Sequence, residues 1–153
     1  MSAVPKPALE LRRMTEADLP GVMAIETEIY AFPWTLGNFR DSIAAEYGCW
    51  AYVMDGGMIG YAVMMLAADE AHLLNLSVAA GCQNQGHGSL LLRRLFDLAR
   101  GGGARVMVLE VRPSNTAGQR LYQRHGFQRL GLRRDYYPAP DGREDALIFS
   151  LPL

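Results

Sequence analysis

Cysteine and histidine are scarce, two and three residues in a chain of 153. Cys49 and Cys82 match neither a disulfide framework nor a paired zinc spacing, so each reads as a small core or loop residue and no metal site is expected. An excess of charge of one sign is missing as well. Lys and Arg number 15 against 16 Asp and Glu, a formal net charge of -1 that gives no reason to expect a nucleic-acid partner or a charged membrane surface. Long apolar runs are also lacking. The longest uncharged one, MIGYAVMMLAA at 58–68, falls far short of the roughly 20 residues of a membrane helix. MSAVPKPALE, at the start, has no apolar core of a secretion signal. These absences predict a cytoplasmic protein with no membrane partner.

What is present is ordinary globular material, half hydrophobic and one-fifth charged, with neither repeat nor linker, so a single domain is expected over 1–153. Leu9, Leu11 and Arg13 alternate as a first strand. Thr15 and Asp18 have capping-box spacing before a stripe of Ala17, Val22, Ile25 and Ile29, which Phe32-Pro33-Trp34 interrupts. Thr35 then caps a second helix through Leu36, Phe39, Ile43 and Ala44. CWAYVMD, a Gly56-Gly57 turn and MIGYAVMM read as a hairpin, and AHLLNLSV reads as a further strand. Leu91, Leu92, Leu95, Leu98 and Ala99 mark an amphipathic helix that Gly101 to Gly103 end. RVMVLEV is a strand, Ser114 or Asn115 starts a short helix closed by Gly126, and two last strands flank a turn. The order β, α, α, β, β, β, α, β, α, β, β predicts an α+β fold, a mixed and mostly antiparallel central sheet with helices on both faces.

GCQNQGHGSLLLRR, at 81–94, joins a strand to a helix through glycines, a recurrent anion site because the first amides of a helix lack intrahelical acceptors. Gly81 and Gly86 have P-loop spacing, but His87-Gly88 stands where Lys and Ser or Thr are needed. Leu91 likewise occupies the last glycine of a dinucleotide fingerprint. What survives is Q-x-x-G-x-G from Gln83 to Gly88, which suits a pyrophosphate held by backbone amides. A glycine-eased turn with no ligand explains the same residues.

The Q-x-x-G-x-G loop, LEVRPSN at 109–115 and LYQRHGF at 121–127 resemble the GNAT acetyltransferase superfamily. FPW at 32–34, YYP at 136–138 and DGREDA at 141–146 resemble its RimI-type ribosomal-protein-alanine N-acetyltransferases. The resemblance implies a GNAT-like fold, acetyl-CoA as donor, bound by Asn84, Gln85, Gly86, His87, Gly88 and Ser89, and the N-terminal amine of a protein, a ribosomal one, as acceptor. It also implies that the backbone of Leu76, Ser77 and Val78 holds the acetyl group and pantetheine, that Asn115 contacts the pantetheine arm, and that Glu110 and Tyr122 are proton acceptor and donor. Departures from the family are Asn84 for a cation, His87 for an aliphatic residue and Gly118 for Ala, the last at about 1 kcal/mol to the helix. The side chain of His87 either donates to phosphate or faces water.

From the residues alone, Glu110 shares a strand face with Val106 and Val108, in line with two core residues, or lies past the core edge and pairs with Arg112 or solvent. Asn115 and Tyr122 lie two turns apart on one helix face, where a packing tyrosine is the alternative to an acid. Phe32, Pro33, Trp34, Tyr136 and Tyr137 either flank a peptide groove or pack. Arg133, Arg134 and Arg143 are a solvated face or attract an acidic or ribosomal partner. No triad cues surround Ser77, which disfavours a serine hydrolase. A small amine as acceptor, or a non-catalytic CoA-binding module, are the alternative functions.

Overall fold

A computed structural model of the chain describes residues 9–153; the first eight residues of the expected domain lie outside the described residues. Strand β1, Leu9–Arg13, leads to a 3-10 turn, Glu16–Asp18, where the Thr15 N–H donates to Asp18 Oδ2 at 2.8 Å. Helix α1, Leu19–Ile29, carries Pro20 in its first turn, where a missing N–H removes no helical bond. Its buried stripe begins at Leu19, because Ala17 falls in the 3-10 turn and stays exposed. Helix α2, Leu36–Ala44, has a reciprocal cap: Asn38 N–H donates to Thr35 Oγ1 at 3.1 Å and Thr35 N–H to Asn38 Oδ1 at 2.9 Å.

Strands β2, Gly48–Met54, and β3, Gly57–Ala67, form the hairpin. Its two loop residues are Asp55 and Gly56, both at positive φ as the tight turn requires, and Gly57 already belongs to β3. Then come β4, Glu70–Val78, helix α3, His87–Gly101, β5, Val106–Val111, helix α4, Thr116–Arg124, β6, Gln128–Ala139, and β7, Gly142–Pro152. The element order is the one the sequence predicts.

All seven strands join one sheet in the order β1-β2-β3-β4-β5-β7-β6, antiparallel except where α3 crosses over between β4 and β5. Helices α1 and α2 cover one face through Val22, Ile25 and Phe39, packed with Tyr61 and Val63. On the other face Leu91, Leu92 and Leu95 of α3 are fully buried over Met107 and Leu109. At about 1.5–3 kcal/mol for each buried leucine, this stripe anchors the helix that follows the glycine loop.

One irregularity opens the sheet. Asn75 pairs with Val63 and Leu73 with Met64, so Leu74 has no counterpart on β3 and the strand bulges there. Parallel pairing with β5 covers only 70–73 against 106–109. Beyond it β4 runs on to Val78 beside β3 while β5 runs on to Val111 beside β7, and the sheet opens between them.

Candidate active site

The opening between β4 and β5 is a cleft of about 1200 Å³, bordered by 73–78 on one side and 109–112 on the other. Leu76, Ser77 and Val78 therefore present to it a strand edge that β5 does not pair, although Val78 O accepts from Gln83 and Leu76 O from the Tyr30 hydroxyl.

The glycine loop closes one end. Gln83 Nε2 donates to Val78 O at 3.0 Å, which ties the loop to the tip of β4. Asn84 is left-handed at φ 60°, a conformation asparagine tolerates better than a cationic side chain, and Gly86 is left-handed at φ 86°. The first bond of α3 runs from Leu90 N–H to Gly86 O at 3.1 Å, so the amides of His87, Gly88 and Ser89 precede it without helical acceptors. Asn84, Gly86, Gly88 and Ser89 line the cleft, whereas Gln85 and His87 do not. Gln85 Nε2 turns back to Gly81 O at 3.3 Å. The side chain of His87 neither meets the cleft nor faces water: it is buried, with Nδ1 3.3 Å from the Tyr52 hydroxyl. The imidazole is packed beneath the helix start, which corrects both sequence readings of that side chain. Ser89 Oγ lies 3.0 Å from Nε2 of His125, the residue that ends α4, so the start of α3 is fastened to the end of α4.

Glu110 lies on the outer face of β5. Met107, Leu109 and Val111 are the buried set, and Val106, Val108 and Glu110 only half-buried, so the carboxylate is not in line with core residues as one reading held. Its partner is not Arg112 either. Glu110 Oε1 stands 3.5 Å from Arg133 Nη1 of β6, while Arg112 bonds Pro138 O at 2.6 Å and Glu144 at 3.2 Å. Glu110 thus keeps 30% exposure at the cleft wall, within reach of a solvent molecule or an amine.

Asn115 is the residue that caps α4, its Oδ1 accepting from Gly118 N–H at 2.9 Å, which leaves Nδ2 without a part in the cap. A Cβ at residue 118 would come within 2.6 Å of Asn115 Nδ2, so a larger residue there would make the Asn115 side chain shift. Tyr122 is buried against Phe127, ring centroids 5.6 Å apart, and borders the cleft. Burial, reinforced by the nearby phenols of Tyr30 and Tyr137, holds its pKa above the ordinary tyrosine value. It stays protonated at neutral pH.

Phe32, Pro33, Trp34 and Tyr137 line the cleft, and Tyr136 does not. The Arg112 guanidinium lies 5.3 Å from the Phe32 ring and 4.3 Å from that of Tyr137. Arg133 is bound to Glu110, and Arg143 borders the cleft with Nη1 3.3 Å from Tyr136 O, so neither is simply a solvated charge.

Sequence reasoning missed a buried polar network under this wall. Glu26 is 1% exposed; its Oε1 accepts from the Tyr61 hydroxyl at 2.7 Å and Asn75 Nδ2 at 3.2 Å, its Oε2 from Trp34 N–H at 2.8 Å. Ser77 Oγ donates to Asn75 Oδ1 at 2.6 Å, and the Tyr30 hydroxyl lies 2.6 Å from Ser77 Oγ. The available signal was a carboxylate four residues after Val22, on the apolar stripe of α1.

Residues 19–127 match the Acetyltransferase (GNAT) family. The chain is 40% identical over 136 residues to the ribosomal protein bS18-alanine N-acetyltransferase of Escherichia coli K12, spanning 89% of this chain and 92% of that one. Its counterpart in Haemophilus ducreyi is 35% identical over 94% of this chain and 99% of its own. The crystal structure of the Escherichia coli ribosomal-protein-S18-alanine N-acetyltransferase superimposes with a TM-score of 0.87 at 37% identity, covering 95% and 94% of the two chains. With the open sheet, the glycine-led helix and these likenesses together, the chain belongs to the GNAT acetyltransferase family, among its RimI-type ribosomal-protein-alanine members.

Proposed function

We propose that this chain transfers the acetyl group of acetyl-CoA to the N-terminal α-amine of a ribosomal protein that begins with alanine. The observation that carries the reading is the opening between β4 and β5, with free helix amides at its end and a carboxylate and a phenol on its walls. Acetyl-CoA, when bound, supplies an activated acyl group and a thiolate leaving group. The amides of 87–89 are suited to its pyrophosphate, where helix dipole and unpaired donors both favour negative charge. With His87 turned inward, binding there relies on the backbone, with Ser89 Oγ and Asn84 as side-chain donors. The strand edge Leu76 to Val78 offers N–H groups to charge that builds on the acyl oxygen.

An N-terminal amine ordinarily titrates at about pH 8, so much of it carries a proton at neutral pH that must be removed before attack. Glu110 takes that proton, directly or through one water. Tyr122 gives its proton to the departing sulfur, a role that its raised pKa suits because the phenol is never ionised beforehand. Phe32, Pro33, Trp34 and Tyr137 form the apolar border along which an extended chain terminus enters.

Thiol release from acetyl-CoA, measured with peptides beginning Ala and with polyamines side by side, tests the reading. Faster turnover of the Ala peptide is expected. Faster turnover of the polyamine, or tight acetyl-CoA binding with no turnover of any acceptor, overturns it.

A further inference from the structure

The buried network beneath the cleft has a fixed direction, and that direction gives Tyr30 a use. Glu26 accepts three hydrogen bonds, so a carboxylate acceptor stands at the inner end. Asn75 must offer it Nδ2, which turns Oδ1 toward Ser77. Ser77 therefore spends its only proton on Asn75, and its oxygen is left to accept from the Tyr30 hydroxyl at 2.6 Å. The other neighbour of that hydroxyl is Leu76 O, at 3.3 Å, which can only accept as well. Both partners draw the phenolic proton toward β4, which leaves the oxygen's remaining lone pairs for a donor from elsewhere, and Tyr30 borders the cleft. Burial holds the Tyr30 pKa up at about 12, so the phenol does not escape this arrangement by ionising.

A group with its proton committed can take a hydrogen bond but not give one. Asn75 and Ser77 lie on the sheet face that α1 covers, opposite the face of Leu73, and so do Val106, Val108 and Glu110, opposite that of Met107. Tyr30 and Glu110 therefore border the cleft from the same side of the sheet, the side on which Phe32 and Trp34 stand. We infer that Tyr30 is an acceptor-binding residue: its oxygen receives an N–H of the incoming α-amine, oriented by the one-way chain Tyr30, Ser77, Asn75, Glu26, while Glu110 receives the proton that is lost. This rests on the acetyl-transfer reading above. It gives the site a preference for acceptors with a donor to spare, so a primary amine is favoured over a secondary one.

The test is steady-state kinetics on the full chain with an Ala-initiated peptide and acetyl-CoA, comparing wild type, Tyr30→Phe and Ser77→Ala, with thermal melts to confirm folding. Tyr30→Phe is expected to raise the peptide KM by about fivefold to tenfold, as for one neutral hydrogen bond, with the acetyl-CoA KM moved by less than about twofold. Ser77→Ala keeps the phenol but frees its proton, and is expected to raise the peptide KM by a smaller factor, about threefold. Wild type is expected to disfavour an N-methyl-Ala peptide more than Tyr30→Phe does. An unchanged peptide KM in Tyr30→Phe, or an equal rise in the acetyl-CoA KM, overturns the inference; if Tyr30→Phe fails to melt cooperatively, an unchanged peptide KM in Ser77→Ala does so. Wild-type turnover with those outcomes defeats this inference alone, whereas a wild type that acetylates no peptide defeats the function reading and this with it.

Discussion

On the proposed mechanism Glu110 and Tyr122 carry opposite halves of one proton balance, and their surroundings differ to match. Glu110 is partly exposed beside an arginine, and Tyr122 is buried among phenols. Replacing Glu110 by Gln is expected to lower turnover about a hundredfold or more, most strongly at low pH where the amine is protonated, and to leave acetyl-CoA affinity unchanged. Pre-steady-state rates and calorimetry check this, and unaltered turnover removes Glu110 from the chemistry. For Tyr122 the sign runs the other way. A raised pKa means that the donor form persists past the ordinary tyrosine value, so kcat should show no alkaline fall up to about pH 10. Tyr122→Phe should cost about a hundredfold in kcat at every pH below that limit. A pH profile of kcat with a descending limb near neutrality would contradict the assignment.

At the scale of elements, capping and turn chemistry were legible because they are local. Thr35, Gly56, Asn115 and Gly126 punctuate the chain where a side-chain cap or a positive φ is needed, although the hairpin turn falls at Asp55-Gly56, one residue before the Gly56-Gly57 that the sequence suggests. The bulge at Leu74 was not legible, since nothing in AHLLNLSV marks which residue a neighbouring strand will skip. The inward turn of His87 was hidden for a related reason: a polar residue after a glycine reads as solvent-facing until the partner, Tyr52 on β2, is known. Glu26 escaped notice because its donors come from β3, β4 and the aromatic turn after α1, all remote in sequence except one. Gly118 reverses a sequence expectation. Ala there should gain about 1 kcal/mol of helix propensity, yet its Cβ displaces the Asn115 side chain that supplies a cap of similar worth. The melting temperature of Gly118→Ala is therefore expected to stay within about two degrees of wild type. A rise well beyond that would show that Asn115 caps from another rotamer.

Over the whole molecule, helices α1, α3 and α4, the aromatic turn and β6 with β7 all border one cleft. On the proposed reading the thioester lies toward α3 and α4 and the peptide toward α1 and the aromatic turn. Both molecules are then present together, and initial-rate plots should give intersecting lines. A covalent acetyl-enzyme on cysteine is the competing route. Cys49 is buried with its thiol pKa pushed up by burial, and Cys82, which borders the cleft, should be replaceable by Ser without loss of turnover. Parallel lines, or an acetylated cysteine in quenched protein, would overturn the ternary scheme.

Leu74 is surplus to the pleat. Without it Leu73, Asn75, Leu76 and Ser77 would still alternate between the two sides, and the neighbours on either flank could zip together to their ends. Shortening the chain by that single residue should thus yield a sturdier body with slower amide exchange at 75–78 and no acetylation at all. On the proposed reading, acetyl transfer needs a seam left unsewn, one codon from closing.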